Sequence, residues 1–278
     1  MTADTSAPGS HAAAQELAGK VALITGASRG IGKGIALELA AAGCNVVLAA
    51  RDGAALAQTA REIEALGRKA EIHAADLTAS GEPDRLVEAA TRAFGRLDIL
   101  VNNAGGAKRG SFFTLTEAEW SEGFAMKFFA HVRLCRLAWP ELKRAQGSIV
   151  FISGIGARAP VADYMIGASV IGASLAFMKA LADLGKHDGV QVNAVNPGSV
   201  NTDRFRHRLA TIMRKTGLDE AAAIERHRAE LDITRFGTPA DIAGLVRFIV
   251  SPRGRLLQGA AVDMDGGQTV PLRMSKYD

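Results

Sequence analysis

Thr25-Gly26-Ala27-Ser28-Arg29-Gly30-Ile31-Gly32 stands between a short apolar run, Val21–Thr25, and a longer amphipathic stretch, Ile31–Ala42. The run reads as a buried strand and the stretch as a helix, so the glycines form the turn that joins them. Gly26 permits a tight turn. Gly30 lets the backbone approach a pyrophosphate, and Gly32 lets the helix pack close on the strand. The helix opens on this loop with unbonded N–H groups and the positive end of its dipole, which together suit an anion.

The same alternation continues outward from this unit. Apolar runs at Asn45–Ala49, Ala70–Ala74, Ile99–Asn102, Ser148–Ser153, Gln191–Val195 and Ala260–Asp263 predict six further strands. Helical patterns at Ala54–Leu66, Pro83–Phe94, Glu117–Leu142 (one helix or two) and Asp163–Leu184 fall between them. Near-continuous apolar strands alternating with helices imply parallel pairing with both faces covered. The expected fold is therefore α/β: one Rossmann-type, doubly wound, parallel seven-stranded sheet with helices on both faces. With 278 residues the chain suits one undivided domain over 19–278. A charged, mostly helical segment at 199–235 interrupts the alternation and reads as an insertion over one end of the sheet. Residues 1–18 are small and polar, and read as a disordered tail.

Composition narrows the function classes. A net charge of +4 is mild and forms no long basic block, which argues against nucleic acid. Two cysteines, Cys44 and Cys135, lie in apolar patterns, consistent with a reducing cytoplasmic setting. No Cys/His cluster has metal-ligand spacing. No uninterrupted apolar run reaches the roughly 18 residues of a membrane span, so no membrane partner is expected.

Thr-Gly-x-x-x-Gly-x-Gly at 25–32 resembles the fingerprint of the short-chain dehydrogenase/reductase family. More motifs follow in the same order. Asp76-Leu77 is similar to the pair that meets the adenine ring. Asn102-Asn103-Ala104-Gly105 is similar to the motif after the fourth strand, and Asn196-Pro197-Gly198-Ser199-Val200-Asn201-Thr202 to the loop beside the nicotinamide. Asp265-Gly266-Gly267 is similar to the C-terminal turn. The resemblance spans about Leu17 to Gly267. It implies a nicotinamide dinucleotide held by Gly26, Ser28, Arg29, Gly30, Ile31, Gly32, Arg51, Asp76, Leu77, Asn103, Ala104, Gly105, Pro197, Gly198, Val200 and Thr202.

The choice between cofactors has a physical basis. An acid after the second strand would bind a ribose 2′-hydroxyl and repel a 2′-phosphate. Here Ala50-Arg51 stands in that place, with Asp52 one residue on and Arg29 in the glycine loop. Two guanidiniums near that ribose favour NADP(H). Alternatively, Arg51 stacks on adenine or is merely solvated.

The catalytic half of the family pattern is missing. The resemblance implies a Tyr acid/base, a Lys four residues later that lowers its pKa, a Ser on the carbonyl and an Asn on the preceding helix. Aligning on the flanking motifs places Lys127 at the Asn position, Gly154 at the Ser position, Gly167 at the Tyr position and Ile171 at the Lys position. Taking Tyr164 as the Tyr instead puts Ala168 where the Lys belongs. Tyr164-Met165-Ile166-Gly167 also echoes the Tyr-x6-Lys spacing of enoyl reductases, again with Ile171 at the Lys place.

Three catalytic candidates remain. Tyr164 is the one tyrosine away from the chain end, and it either acts as a phenol or packs at a helix start. Lys127, in an apolar stretch with Met126, Phe128 and Phe129, either binds an anionic substrate oxygen or orients Tyr164 in the site, or snorkels at a surface or interface. Ser153 stands one place before the expected Ser. Small residues at 167–174 predict close helix packing, and by resemblance a dimer or homotetramer interface. Arg204, Arg206, His207, Arg208, Arg214 and Lys215 would make a basic lid, either steering an anionic small-molecule substrate or forming a solvated face. Two functions follow: an oxidoreductase with a rearranged site acting on a carbonyl, alcohol or conjugated enoyl substrate, or a degenerate NADP(H)-binding sensor or scaffold.

Overall fold

The structure, a computed structural model, describes residues 15–269. Seven parallel strands form one sheet in the order β3-β2-β1-β4-β5-β6-β7. The strands are β1 (Val21–Thr25), β2 (Asn45–Ala50), β3 (Ala70–Ala74), β4 (Ile99–Asn102), β5 (Ser148–Ile152), β6 (Gln191–Pro197) and β7 (Ala261–Met264). The helices are α1 (Gly30–Ala41), α2 (Gly53–Ala65), α3 (Glu82–Phe94), α4 (Glu117–Phe124), α5 (Ala130–Ala145), α6 (Met165–Asp188), α7 (Asp203–Thr216), α8 (Glu220–Leu231) and α9 (Pro239–Val250).

The apolar strands are buried because helices cover both faces. On one face Ile35 and Leu39 of α1 meet Ile242 and Val246 of α9 over Ile24 and Val101. On the other, Leu86 of α3, Leu134 of α5 and Met178 of α6 pack on Leu23, Leu100 and Phe151. Truncating one of these fully buried leucines to alanine is expected to cost about 2–5 kcal/mol. A third, small core of Phe205, Leu209 and Ala223 ties α7 to α8, so the 199–235 insertion is a helical hairpin with its own apolar contact.

Three expectations change. The tail set at 1–18 is part of the fold from Gln15 onward. Leu17 is fully buried, its N–H donates to the Ala42 carbonyl, and Glu16 pairs with Arg247 at 2.8 Å. Residues 1–14 and 270–278, the latter including Tyr277, lie outside the described residues. The helix expected at Asp163 begins at Met165, because Ala162–Tyr164 forms a tighter 3₁₀ turn. Finally, Ala162–Asp188 is long and apolar enough, by length and composition, to cross a membrane, with a mean hydropathy of 1.7. A run criterion misses it because glycines and serines interrupt the apolar run while lowering the average only modestly. In the fold its Ile166, Val170, Ile171 and Met178 are buried, as in a core helix.

Candidate active site

β1 lies between β2 and β4, so the chain reverses its direction of winding there. Loops at the carboxyl ends of strands open a crevice at such a switch point. The glycine loop after β1 and the Asn103–Gly105 loop after β4 flank it. Asn103 Nδ2 donates to the carbonyls of Thr25 (2.8 Å) and Gly26 (3.3 Å). Thr25 Oγ1 accepts from the N–H groups of Asn103 and Ala104, both at 2.9 Å. The two loops are thus tied together, and the Asn103 amide shapes the glycine loop.

The loop has the form of an anion cradle. A side-chain carbon on Gly32 would stand 2.2 Å from the Gly26 carbonyl oxygen, so only glycine allows this turn. α1 starts without a side-chain cap, leaving its first N–H groups facing the loop. Thr202, at the start of α7, closes the far side: its Cγ2 would touch a Cβ on Gly30 at 3.4 Å. Ser28 and Ile31 are half-buried in the same loop. Arg29 and Arg51 are exposed at this edge. Asp52 is committed elsewhere, since its carboxylate caps α2 by accepting from the Ala55 N–H at 3.0 Å. Asp76 is held below the usual carboxylate range by the Thr78 N–H and hydroxyl. Leu77 is buried in the core, and Val200 is buried beside its bridge partner Gly237. Pro197 ends β6, and Gly198 sits against Asp265, with its N–H on the Met264 carbonyl.

Lys127 is buried, contrary to a snorkelling surface residue: 8% of its surface is exposed. It lies in a wide π-helical turn, Ala125–Phe129, between α4 and α5. Such turns insert a residue into a helix and re-aim its side chain, and they are frequent at functional sites. The stem of Lys127 runs along Gly105, where a Cβ would stand 3.0 Å from its Cβ and 3.1 Å from its Cγ. Among the described residues its ammonium makes one long bond, Nζ to the Ile152 carbonyl at 3.4 Å, and no ion pair. Burial, helped by the Arg204 charge, lowers its pKa to about 8. One turn on, His131 donates from Nε2 to the Ala104 carbonyl at 2.9 Å. Burial, with the Lys127 charge, brings the His131 pKa down to about 3, so the imidazole stays neutral.

Of the positions that lack the expected catalytic side chains, Gly154 and Ile171 lie side by side. Ile171 Cδ1 lies 3.5 Å from where a Cβ on Gly154 would stand, and 3.0 Å from one on Gly156. An isoleucine methyl therefore fills space between the Ser and Lys places. The Tyr164 ring fills the Tyr place from three residues earlier: a Cβ on Gly167 would stand 2.0 Å from its Cζ. Arg109 lies over that ring, 4.3 Å from its centroid, and its Nη1 donates to both Asp163 carboxylate oxygens at 2.9 Å. Ser153 is buried at the end of β5 with its N–H on the Val195 carbonyl. Among the described residues no hydrogen bond joins its hydroxyl to Tyr164 or Lys127. Arg109 escaped sequence reading because its partners lie 54 residues on and no spacing rule links them. The wide turn also escaped it, since an inserted residue leaves the apolar pattern nearly unchanged.

On α7, Arg206 pairs with Asp203, and His207 donates to the Asp203 carbonyl at 2.6 Å. Arg204 points back into the crevice: its Nη2 would stand 3.3 Å from a Cβ on Gly106. Arg208 feels the charges of Arg109 and Asp163 at the rim.

The family model for short chain dehydrogenases matches residues 20–212. The chain belongs to the short-chain dehydrogenase/reductase family. It is an oxidoreductase by that membership. This short-chain dehydrogenase is 34% identical over 249 residues to the hydroxynaphthalene reductase of Aspergillus fumigatus, covering 87% of this chain and 90% of that one. Its fold is similar to L-sorbose reductase from Gluconobacter frateurii, a structure complexed with NADPH and L-sorbose. The TM-score is 0.89 and the identity 31%, over 93% of this chain and 100% of that one. It is also similar to a short chain dehydrogenase from Burkholderia cenocepacia in complex with NADP. There the TM-score is 0.82 and the identity 34%, over 91% and 99% of the two chains.

Proposed function

We propose that this protein is an NADP(H)-dependent oxidoreductase that acts on a carbonyl/alcohol or conjugated enoyl substrate, with Lys127 as the group that manages charge on the substrate oxygen. The observation that carries this reading is the buried, unpaired ammonium of Lys127 beside Gly105. A lysine so placed costs stability, and a site that retains it has a use for it.

The cradle residues fit a dinucleotide, and two similar structures hold NADPH or NADP. The engagement of Asp52 as a helix cap leaves Arg29 and Arg51 as the charged groups suited to a 2′-phosphate. When bound, NADPH supplies a hydride. In carbonyl reduction the oxygen gains the displaced π-electron pair, and Lys127 donates a proton to it, giving an alcohol. In enoyl reduction the same ammonium stabilises the enolate oxygen, and a proton from solvent then completes the reaction at the α-carbon. A pKa near 8 leaves Lys127 mostly protonated at neutral pH and still able to give up the proton. Tyr164 supplies a phenol over Gly167, positioned by Arg109. The small-residue helix α6 is consistent with a homo-oligomer. Cys44 and Cys135 are free and buried, with thiols pushed up to about 12 chiefly by burial, and a reducing cytoplasm is part of this reading.

One observation favours the second reading, a cofactor-binding sensor or scaffold: the Ile171 methyl against Gly154 and Gly156 puts hydrocarbon between two expected catalytic positions. NADPH consumption over ketones, enones and enoyl thioesters, with NADPH binding followed by fluorescence, separates the two. Turnover of any class supports the enzyme. Tight binding with no turnover of any class supports the module, and no binding of NADPH defeats both.

A further inference from the structure

Positive groups converge on the crevice from two separate elements. Lys127 rises from the π-helical turn, 8% exposed and without a carboxylate partner. Arg204 descends from α7 onto Gly106, close enough for its charge to bear on Lys127. Arg208 follows one turn later on the same face of α7, since residues four apart share a face. Its charge meets Arg109 and Asp163 at the rim. Arg109 is already neutralised by Asp163, and Arg206 by Asp203. Among the described residues Lys127, Arg204 and Arg208 make no ion pair. The Arg204 charge acts on the buried Lys127 ammonium without a counter-ion, where repulsion is least screened.

We propose that Lys127, Arg204 and Arg208 form a recognition site for an oxoanion carried by the substrate, a carboxylate or a phosphate attached to the carbonyl or enoyl compound. The inference rests on the oxidoreductase reading above and adds the substrate class to it. The site is distinct from the glycine-loop cradle, which lies between β1 and α1 and has Arg29 and Arg51 beside it. Guanidiniums bind carboxylate and phosphate through paired N–H donors, and two on one helix face can hold one such group. Lys127 then lies at the inner end of the anion site, where the reacting oxygen takes up charge.

The test uses NADP⁺-saturated protein, so that added anions cannot occupy the cofactor cradle. Thermal stabilisation is measured with succinate, with inorganic phosphate and with sodium chloride at matched ionic strength. Wild type, Arg204→Gln/Arg208→Gln and the control Lys69→Gln are compared. Lys69 is exposed at the start of β3, on the opposite edge of the sheet. In parallel, kcat/KM is measured for 4-oxopentanoate and 4-carboxybenzaldehyde and for their methyl esters. Succinate or phosphate should stabilise wild type and Lys69→Gln beyond chloride, and the double variant should lose that excess. The larger effect identifies carboxylate or phosphate as the natural group. The acid should exceed its ester by about tenfold in kcat/KM, a difference the double variant abolishes while its NADP⁺ affinity is retained. Stabilisation no better than chloride, or an excess that survives in the double variant, overturns the proposal. Failure of every acid and ester to turn over counts against the oxidoreductase reading, and the binding comparison still decides the anion site.

Discussion

The Tyr164 ring lies directly on Gly167, so closely that a methyl group there would stand 2.0 Å from its Cζ. The two residues therefore form one unit: glycine at 167 is the condition for a phenol from position 164. A double-mutant cycle measures this. Gly167→Ala should destabilise the protein by about 1–3 kcal/mol through overpacking. In the Tyr164→Ala background the same change should be neutral or stabilising by up to about 1 kcal/mol, because alanine is the better helix former. Urea unfolding of the four proteins reads both values; equal effects in the two backgrounds would remove the unit.

Lys127 should trade stability for activity. Its pKa falls from the ordinary 10.5 to about 8, so the folded state resists the charged form. Between those values the unfolded chain binds more protons, and folding stability rises with pH. At neutral pH the charge is a net cost. Lys127→Met should raise stability by about 1–3 kcal/mol while cutting turnover about 100-fold or more. Denaturant melts of both proteins at one pH check the first half; a destabilised Met variant would contradict it.

His131 shapes the acid limb of stability. Its pKa is lowered to about 3 by burial, while the unfolded imidazole titrates near 6.5. Its contribution is fully present above pH 6.5 and is lost as pH falls toward 3. Per pH unit in that window the loss approaches about 1.4 kcal/mol. His131→Gln keeps a donor for the Ala104 carbonyl and removes the titration. The difference in unfolding free energy between wild type and variant should therefore narrow from pH 7 to pH 5. A constant difference would exclude His131 as the cause.

Arg29 and Arg51 should set cofactor choice. Arg29→Ala/Arg51→Ala is expected to weaken NADP⁺ binding by about tenfold to a hundredfold and to leave NAD⁺ binding within about twofold. Fluorescence or calorimetric titration with both nucleotides is the check. Equal losses for the two would assign the arginines to the shared part of the cofactor.

The fold was legible because its signals are local. The glycines at 26, 30 and 32 sit between a buried run and a helix, and all seven strands fall within two residues of their sequence-based bounds. The anchoring of Gln15–Ala18 was not legible, since Leu17 is a single apolar residue whose burial depends on Ala42 and Cys44 far along the chain. The site was half legible. Alignment to motif positions isolated Lys127, Gly154, Gly167 and Ile171, and the structure places Ile171 beside Gly154 and the Tyr164 ring on Gly167. What spacing could not show is direction. The wide turn buries Lys127, the Tyr164 ring folds back on Gly167, and Arg109 crosses over to Asp163. Each depends on contacts between elements, and no period in the sequence encodes them.

The most direct test of the central claim is the pH dependence of kcat/KM for reduction, in wild type and Lys127→Met, on whichever carbonyl or enoyl substrate turns over, with NADPH binding measured on the same samples. On the proposed mechanism protonated Lys127 is the active form, so the wild-type value should hold below about pH 8 and fall about tenfold per unit above it. The Met variant should bind NADPH normally, react about 100-fold more slowly and lose that limb. An unchanged rate and an unchanged profile in Lys127→Met would contradict the account.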